Sequence, residues 1–264
     1  GSIGRWRDGE PVARSDLWTG PGQVDLVREP DGPATRGGER NVGAGAATVF
    51  LRGFPQVVHR FDPGTLDPIS TIDSPPRAAV AAAPAPDGGV HLVLGDGVVR
   101  TYDRAGRSTG QVDTGLANPW SIVADPTTGL VALGGGDGAG LVDPAAGTFE
   151  IIDEVQEVAA LAFARGGEMV VIVERDGSVR LWDTVRSELV GTLWSGDGTV
   201  SPSTPWYDSA TDSVWVATSG TIVQLPLDPD RWADRICTLV GRELTPDERA
   251  RLVPGDAEPQ DVCS

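Results

Sequence analysis

The side chains that most often carry catalysis are sparse in this chain of 264 residues. Its two histidines, His59 and His91, each lie in an apolar, strand-like segment. Neither histidine has a Cys, Asp or Glu at the spacing of a zinc site. No Gly-x-Ser-x-Gly motif occurs, so a serine hydrolase would have no nucleophile elbow. We therefore predict two structural histidines, no catalytic site and no cofactor.

Aspartates recur in short glycine-containing segments, and they are the next candidates for chemistry. Asp96, Asp137 and Asp176 each precede a glycine between two β-rich runs, a pattern that favours a hairpin with a type I′ turn. The glycine-rich run at 134–138 lacks the Lys-Ser/Thr pair of a phosphate-binding loop. One such Asp falls in each repeat, so we expect the three to be spread apart. Calcium binding is the alternative to this turn role.

The repeat itself is visible in a second set of aspartates, each after an apolar or aromatic residue. They are Asp62, Asp103, Asp143 and Asp183, at steps of 41, 40 and 40 residues. A period near 40 with several short strands per unit is typical of a β-propeller blade. The chain is therefore predicted to be all-β, a β-propeller of the WD-repeat type.

The unit that ends near Asp183 shows the repeat most clearly. Its strand-like runs are predicted at 158–163, 169–173, 178–182 and 189–193. Five such units are recognisable, and we assign 1–228 to the propeller, with a flexible loop at 33–46. Because the first strands resemble the end of a unit, we expect a C-terminal part of a longer polypeptide. A closed five-bladed ring with an added strand is the alternative.

Charge and composition narrow the partners that we expect. The formal net charge is −17, which disfavours binding to nucleic acid or to an anionic membrane. A basic partner peptide fits this charge, although solubility also explains it. No window approaches the roughly 18 to 20 apolar residues of a membrane helix, so we expect no membrane partner. All 21 positive residues are Arg, as in a protein from a GC-rich actinobacterium.

The last part of the chain, 229–264, is predicted to be a short helical tail. Trp232, Ile236 and Leu239 follow a helical spacing, and Thr245 to Glu248 form a capping box. This tail, with the repeats, resembles actinobacterial WD-repeat proteins in which a propeller is joined to a signal-transduction NTPase or a transcriptional activation domain. The resemblance implies a role in signalling or transcription regulation.

Cys237 and Cys263 are the two cysteines of the chain. A disulfide between them would hold the tail, and the alternative is two reduced thiols. We expect a cytoplasmic protein, or an extracytoplasmic one if the cysteines are bridged.

Four residues are candidates for binding at the rim of the propeller. Arg100 and Arg180 share one register, so they would either face an acidic ligand or cover neighbouring aromatic rings. Trp120 and Trp206 fall near predicted strand ends. We expect a non-enzymatic recognition or sensor module whose partner is a protein or peptide, or the N-terminal domains of its own polypeptide. A metal-dependent lactonase-like or lyase-like propeller and a purely structural scaffold are the alternatives.

Overall fold

The computed structural model describes two parts of the chain in different detail. Only backbone is described for the strands at 2–7, 10–16, 23–28, 47–52 and 57–61, and for most of the strand at 68–73. Backbone and side chains are described for 70–72, 79–195, 205–217, 221–228, 231–232, 238 and 245. The predicted loop at 33–46, both cysteines and most of the tail lie outside the described residues.

Apart from helical backbone at 231–232 and 238, the described chain is all-β, and its strands form six antiparallel sheets in chain order. Sheet 1 contains β1 (Ser2–Arg7) and β2 (Glu10–Asp16). Sheet 2 contains β3 (Gln23–Arg28), β4 (Ala47–Arg52), β5 (Val57–Phe61) and β6 (Pro68–Asp73). Sheet 3 contains β7 (Ala79–Pro84), β8 (Val90–Leu94), β9 (Val98–Tyr102) and β10 (Ser108–Asp113).

The remaining sheets continue the same order. Sheet 4 contains β11 (Pro119–Ala124), β12 (Val131–Gly135), β13 (Gly138–Asp143) and β14 (Thr148–Ile152). Sheet 5 contains β15 (Val158–Ala164), β16 (Met169–Glu174), β17 (Val179–Asp183) and β18 (Glu188–Trp194). Sheet 6 contains β19 (Trp206–Asp208), β20 (Ser213–Ala217) and β21 (Ile222–Pro226). The four strands predicted for the clearest unit are those of sheet 5.

From sheet 3 onward, the first strand of each sheet packs against the first strand of the preceding sheet, and in sheets 3 to 5 also against its second strand. β3 contacts β7, β7 contacts β11, β11 contacts β15, and β15 contacts β19. Four apolar layers fill the spaces between consecutive sheets from sheet 2 to sheet 6. The layer between sheets 4 and 5, for example, includes Leu141, Leu161 and Ile172. Burying an apolar face on each side explains why β8 and β16, the second strands of sheets 3 and 5, consist mainly of Val, Leu and Ile.

The repeated Asp after the third strand closes the turn into the fourth strand. The Asp183 carboxylate accepts hydrogen bonds from the backbone N–H groups of Val185 and Arg186, both at 2.9 Å. Asp143 and Asp103 make equivalent pairs of bonds in their own sheets. These backbone N–H groups hold the pKa of Asp103 and Asp183 below the usual range. The 40-residue spacing of these three aspartates thus reflects turn formation.

The Asp-Gly hairpins are present where they were predicted, but the type I′ turn is wrong. Gly97 and Gly177 have φ of 86° and 93°, whereas Asp96 and Asp176 do not have positive φ. The Gly97 N–H donates to the Leu94 carbonyl at 2.9 Å. This geometry matches a turn followed by a left-handed glycine, as in a longer hairpin loop. In this loop only the third residue, Gly97 or Gly177, has to be a glycine.

A short 3₁₀ turn at Arg165–Gly167 connects β15 to β16, and its first side chain reaches sheet 6. The Arg165 guanidinium donates to both oxygens of Asp212, at 3.1 and 2.6 Å, and to the Leu227 carbonyl at 3.1 Å. The Tyr207 hydroxyl donates to the same carboxylate at 2.9 Å. This network fixes one end of the boundary between the two sheets. No helix in the described part of the chain is long and apolar enough to cross a membrane.

Candidate functional site

The first strand of sheets 3, 4 and 5 carries a bulge at its second residue, and in sheet 4 that residue is Trp120. Pro119 pairs with Gly135 and Ser121 with Gly134, so Trp120 is the extra residue of β11. β7 and β15 have bulges at the equivalent Val80 and Ala159. A bulge re-aims its side chain, and the Trp120 indole N–H donates to the Val158 carbonyl of sheet 5 at 2.7 Å. Trp120 therefore lies across the boundary between sheets 4 and 5, with 37% of its surface exposed.

The connection from β14 to β15 supplies the next residues at this boundary. Glu154 and Glu157 have φ of 67° and 46°, in the left-handed region that long side chains disfavour. The connection from β10 to β11 has the same backbone shape, and there Gly115 and Asn118 hold these positions at 67° and 50°. Glycine and asparagine are the residues that tolerate this conformation best. At equivalent positions, the later connection therefore carries two glutamates instead.

The end of β16 adds a third glutamate at an unusual position. Glu174 corresponds to Leu94 in sheet 3 and Gly135 in sheet 4, since each pairs with the first residue of its sheet. Its side chain is only 8% exposed. One carboxylate oxygen accepts from the Arg180 Nε at 2.6 Å, and the other accepts from the Gln156 backbone N–H at 3.0 Å. Because it is both paired and hydrogen-bonded, this buried charge is satisfied and ties the connection to β17.

Together these elements enclose a cleft of about 340 Å³ that opens to solvent. Its walls come from the 153–157 connection, the β16–β17 hairpin and β17, and they consist of Glu154, Gln156, Glu157, Glu174, Arg175, Asp176 and Arg180. The Glu174–Arg180 pair is internally neutral. The other three carboxylates outnumber Arg175, so the cleft has a negative surplus. Among the described residues, the exposed Glu154 and Glu157 carboxylates have no hydrogen bond or ion pair.

One cation already lies at the edge of this cleft. The Arg175 guanidinium carbon is 5.7 Å from the centre of the Trp120 ring, within the range of a cation–π interaction. The Arg175 backbone N–H donates to the Glu157 carbonyl at 2.8 Å, which holds the hairpin against the connection. The Trp120 ring thus lies next to the cleft, in contact with a cation of its wall.

The four residues predicted for rim binding do not converge on a single site. Arg180 lines the cleft, and Trp120 adjoins it through Arg175. Arg100 occupies the register of Arg180 in sheet 3, but Leu94 replaces the glutamate there. The buried Arg100 Nε has no hydrogen-bond partner among the described residues. Trp206 lies in sheet 6, where it is 54% exposed and stacks on Trp215 at 5.3 Å.

The two histidines occupy strands, as predicted. His59 is in β5, where only its backbone is described. His91 is buried in β8, with its Nδ1 3.0 Å from the Thr101 hydroxyl and its Nε2 without a partner. Burial lowers the pKa of His91 to about 4, against a smaller opposite effect of Asp87. At neutral pH the His91 ring is therefore uncharged and inside the sheet packing.

Metal chemistry has no obvious ligand set in the part of the chain with described side chains. No group of three His, Cys, Asp or Glu side chains there is placed to hold a metal ion. Asp176, one of the residues weighed for calcium, accepts from the Ser178 backbone N–H at 2.8 Å and from its hydroxyl at 3.1 Å. This carboxylate stabilises its hairpin turn.

Sequence reasoning missed Glu154, Glu157, Glu174 and Arg175. The first two lie in a connection with no motif, and the others in a hairpin that was interpreted only as a turn. A comparison of the two connections at 114–118 and 153–157 could have identified the glutamates, but it requires knowing that Gly115 and Asn118 have positive φ. No protein-family model matches this chain, and no curated protein matches its sequence.

Proposed function

We propose that this chain is a WD-repeat-type β-propeller that acts as a non-enzymatic recognition module in a larger bacterial signalling or transcription-regulatory protein. The in-order packing of antiparallel sheets through their first strands supports the propeller. In such an architecture the strands supply cohesion, and the connections at the sheet ends supply binding surfaces.

The observation that carries the recognition role is the cleft formed by the 153–157 connection and sheet 5, next to the boundary with sheet 4. It combines unpaired carboxylates, a buried ion pair and an exposed indole at one sheet boundary. Exposed aromatic residues beside charged groups are typical of surfaces that bind proteins and peptides. Asp103, Asp143, Asp176 and Asp183 meanwhile form turns, and His91 is buried.

Binding to synthetic peptides tests this proposal. The purified chain would be titrated by fluorescence polarisation into three sets of labelled dodecapeptides of equal length, one basic, one neutral and one acidic. We expect saturable binding by at least one set, competed by unlabelled peptide and weakened at least fivefold by Trp120→Ala, a loss of about 1 kcal/mol. Trp206→Ala is the matched control, because it removes an exposed tryptophan from a different sheet.

Two outcomes would overturn the proposal. One is the absence of saturable binding in all three peptide sets. The other is turnover in a panel of lactone, ester and lyase substrates that a single substitution in the cleft abolishes, since that result would make the chain an enzyme.

A further inference from the structure

We infer that the cleft formed by the 153–157 connection and sheet 5 binds an arginine side chain of a basic partner peptide. This inference rests on the recognition role proposed above and names the chemistry of the partner. Its starting point is Arg175, whose guanidinium already faces the Trp120 ring at 5.7 Å. An arginine from a partner would take the same indole face and displace this internal arginine.

The carboxylates around the cleft favour a cation over an anion. Glu154 and Glu157 are exposed and unpaired among the described residues, and Asp176 is also exposed. Arg180, the other cation of the cleft, is already committed to Glu174 at 2.6 Å. An acidic ligand would therefore meet a surplus of like charge, whereas a guanidinium would meet carboxylates without partners.

Guanidinium fits the cleft better than the ammonium group of lysine. It is planar, so it can stack on an indole, and its fixed fork of N–H donors can bridge two carboxylates. The cleft of about 340 Å³ lies at the small end of ligand pockets, which suits one long side chain. The net charge of −17 would steer a basic segment toward this surface.

Residue choice at equivalent positions supports a specific role for the two exposed glutamates. The preceding connection has Gly115 and Asn118 with nearly the same φ angles. A backbone that needs left-handed residues is served best by those two residues, so the glutamates are not explained by the turn. The two carboxylates are therefore the feature that distinguishes this connection from the preceding one.

The test is an NMR titration of ¹⁵N-labelled protein in 150 mM NaCl. The probe is the capped pentapeptide Gly-Gly-Arg-Gly-Gly, compared with pentapeptides in which citrulline, lysine or glutamate replaces the arginine. We expect the arginine peptide to shift the Trp120 indole N–H signal, identified by its loss in Trp120→Phe, together with the amides of 154–157. The citrulline and glutamate peptides should not shift these signals, and lysine should bind about threefold more weakly than arginine.

Three variants test the inference, because each is expected to change the affinity for the arginine peptide in a different way. Glu154→Gln combined with Glu157→Gln should weaken arginine binding about tenfold, whereas Glu188→Gln should change it less than twofold. Glu188 is the matched control because it is exposed and lies at the other end of sheet 5. Arg175→Ala should tighten binding about threefold, because it removes the internal competitor from the indole face.

Each result decides between hypotheses. Citrulline binding as tightly as arginine, or Arg175→Ala weakening binding while the glutamate peptide binds, would overturn the arginine site. If a dodecapeptide binds saturably but the signals of 154–157 do not move, recognition stands and this site is wrong. If no peptide of any set binds, both proposals fail.

Discussion

Replacing Glu154 with Gly and Glu157 with Asn should make the protein more stable and abolish most of its arginine binding. Both glutamates have positive φ, and the new residues are those that the preceding connection places at the same angles. The substitutions therefore relieve backbone strain and remove two carboxylates in one step. The stability gain tests the backbone argument, and the binding loss tests the proposed site.

The magnitude follows from the conformational cost of each position. A residue with a Cβ in the left-handed region lowers the stability of the fold by about 1–2 kcal/mol. Glycine avoids this strain, but the greater conformational entropy of its unfolded chain offsets about 0.5–1 kcal/mol of the gain. Glu154→Gly should therefore gain about 0.5–1 kcal/mol. Asn at 157 keeps part of the cost, so we expect about 0.5 kcal/mol there. The pair should gain about 1 kcal/mol, or about 2–4 °C in Tm for a chain of this size.

The assay is urea unfolding followed by circular dichroism at pH 7, with two controls. Glu154→Gln with Glu157→Gln removes the same charges but keeps long side chains at positive φ, so its stability should stay near that of the parent. Gly115→Glu makes the reverse change in the preceding connection, where an added Cβ would meet nothing within 4 Å. It should lose about 1 kcal/mol from conformation alone. A Gln pair as stable as the Gly/Asn pair, or a destabilised Gly/Asn pair, would refute the strain argument.

Three further substitutions test the packing of sheets 3, 5 and 6 away from the cleft, each by urea unfolding. The parent protein should lose about 2 kcal/mol of its free energy of unfolding between pH 7 and 5, because the unfolded ring, with a pKa near 6.5, binds protons in that range while the folded ring, with a pKa of about 4, stays neutral. His91→Leu should abolish this pH-dependent loss. An unchanged pH dependence would contradict this. Asp212→Asn should cost about 1 kcal/mol at pH 7, and because the Arg165 hydrogen bond lowers the pKa of Asp212, the difference from the parent should shrink as pH falls below about 4. A constant difference would exclude the ion pair as its cause. Gly97→Ala should cost about 2 kcal/mol or more, since φ is 86° and the new methyl group would overlap the Leu116 carbonyl. A neutral result would show that this hairpin is not constrained as described.

The repeat made the strands predictable, because each unit needs the same alternation and the same turn residues. The four runs predicted between 158 and 193 coincide with β15 to β18 to within about one residue at most ends. The turn type was not predictable from Asp-Gly alone, since the extra residue before the pair lengthens the loop and moves the left-handed position to glycine. The register of Arg180 was visible in the sequence, but neither interpretation of it included the ion pair with Glu174. A glutamate at the end of an apolar strand has no sequence pattern that reveals its burial.

Repetition also provides an internal way to separate structural residues from binding residues. Asp103, Asp143 and Asp183 recur because every turn into a fourth strand needs the same hydrogen bonds, so recurrence indicates a structural role. Departure from the repeat is not sufficient for function, because His91 also departs, at the position of the buried Val171, and its ring is inside the packing. A departure that both strains the backbone and leaves a charged group open to solvent is different, since the fold gains nothing from it. Within the described residues, the connection at 153–157 meets both conditions with two glutamates. If their replacement by the Gly and Asn of the preceding connection left arginine binding intact, this way of separating structure from function would be wrong.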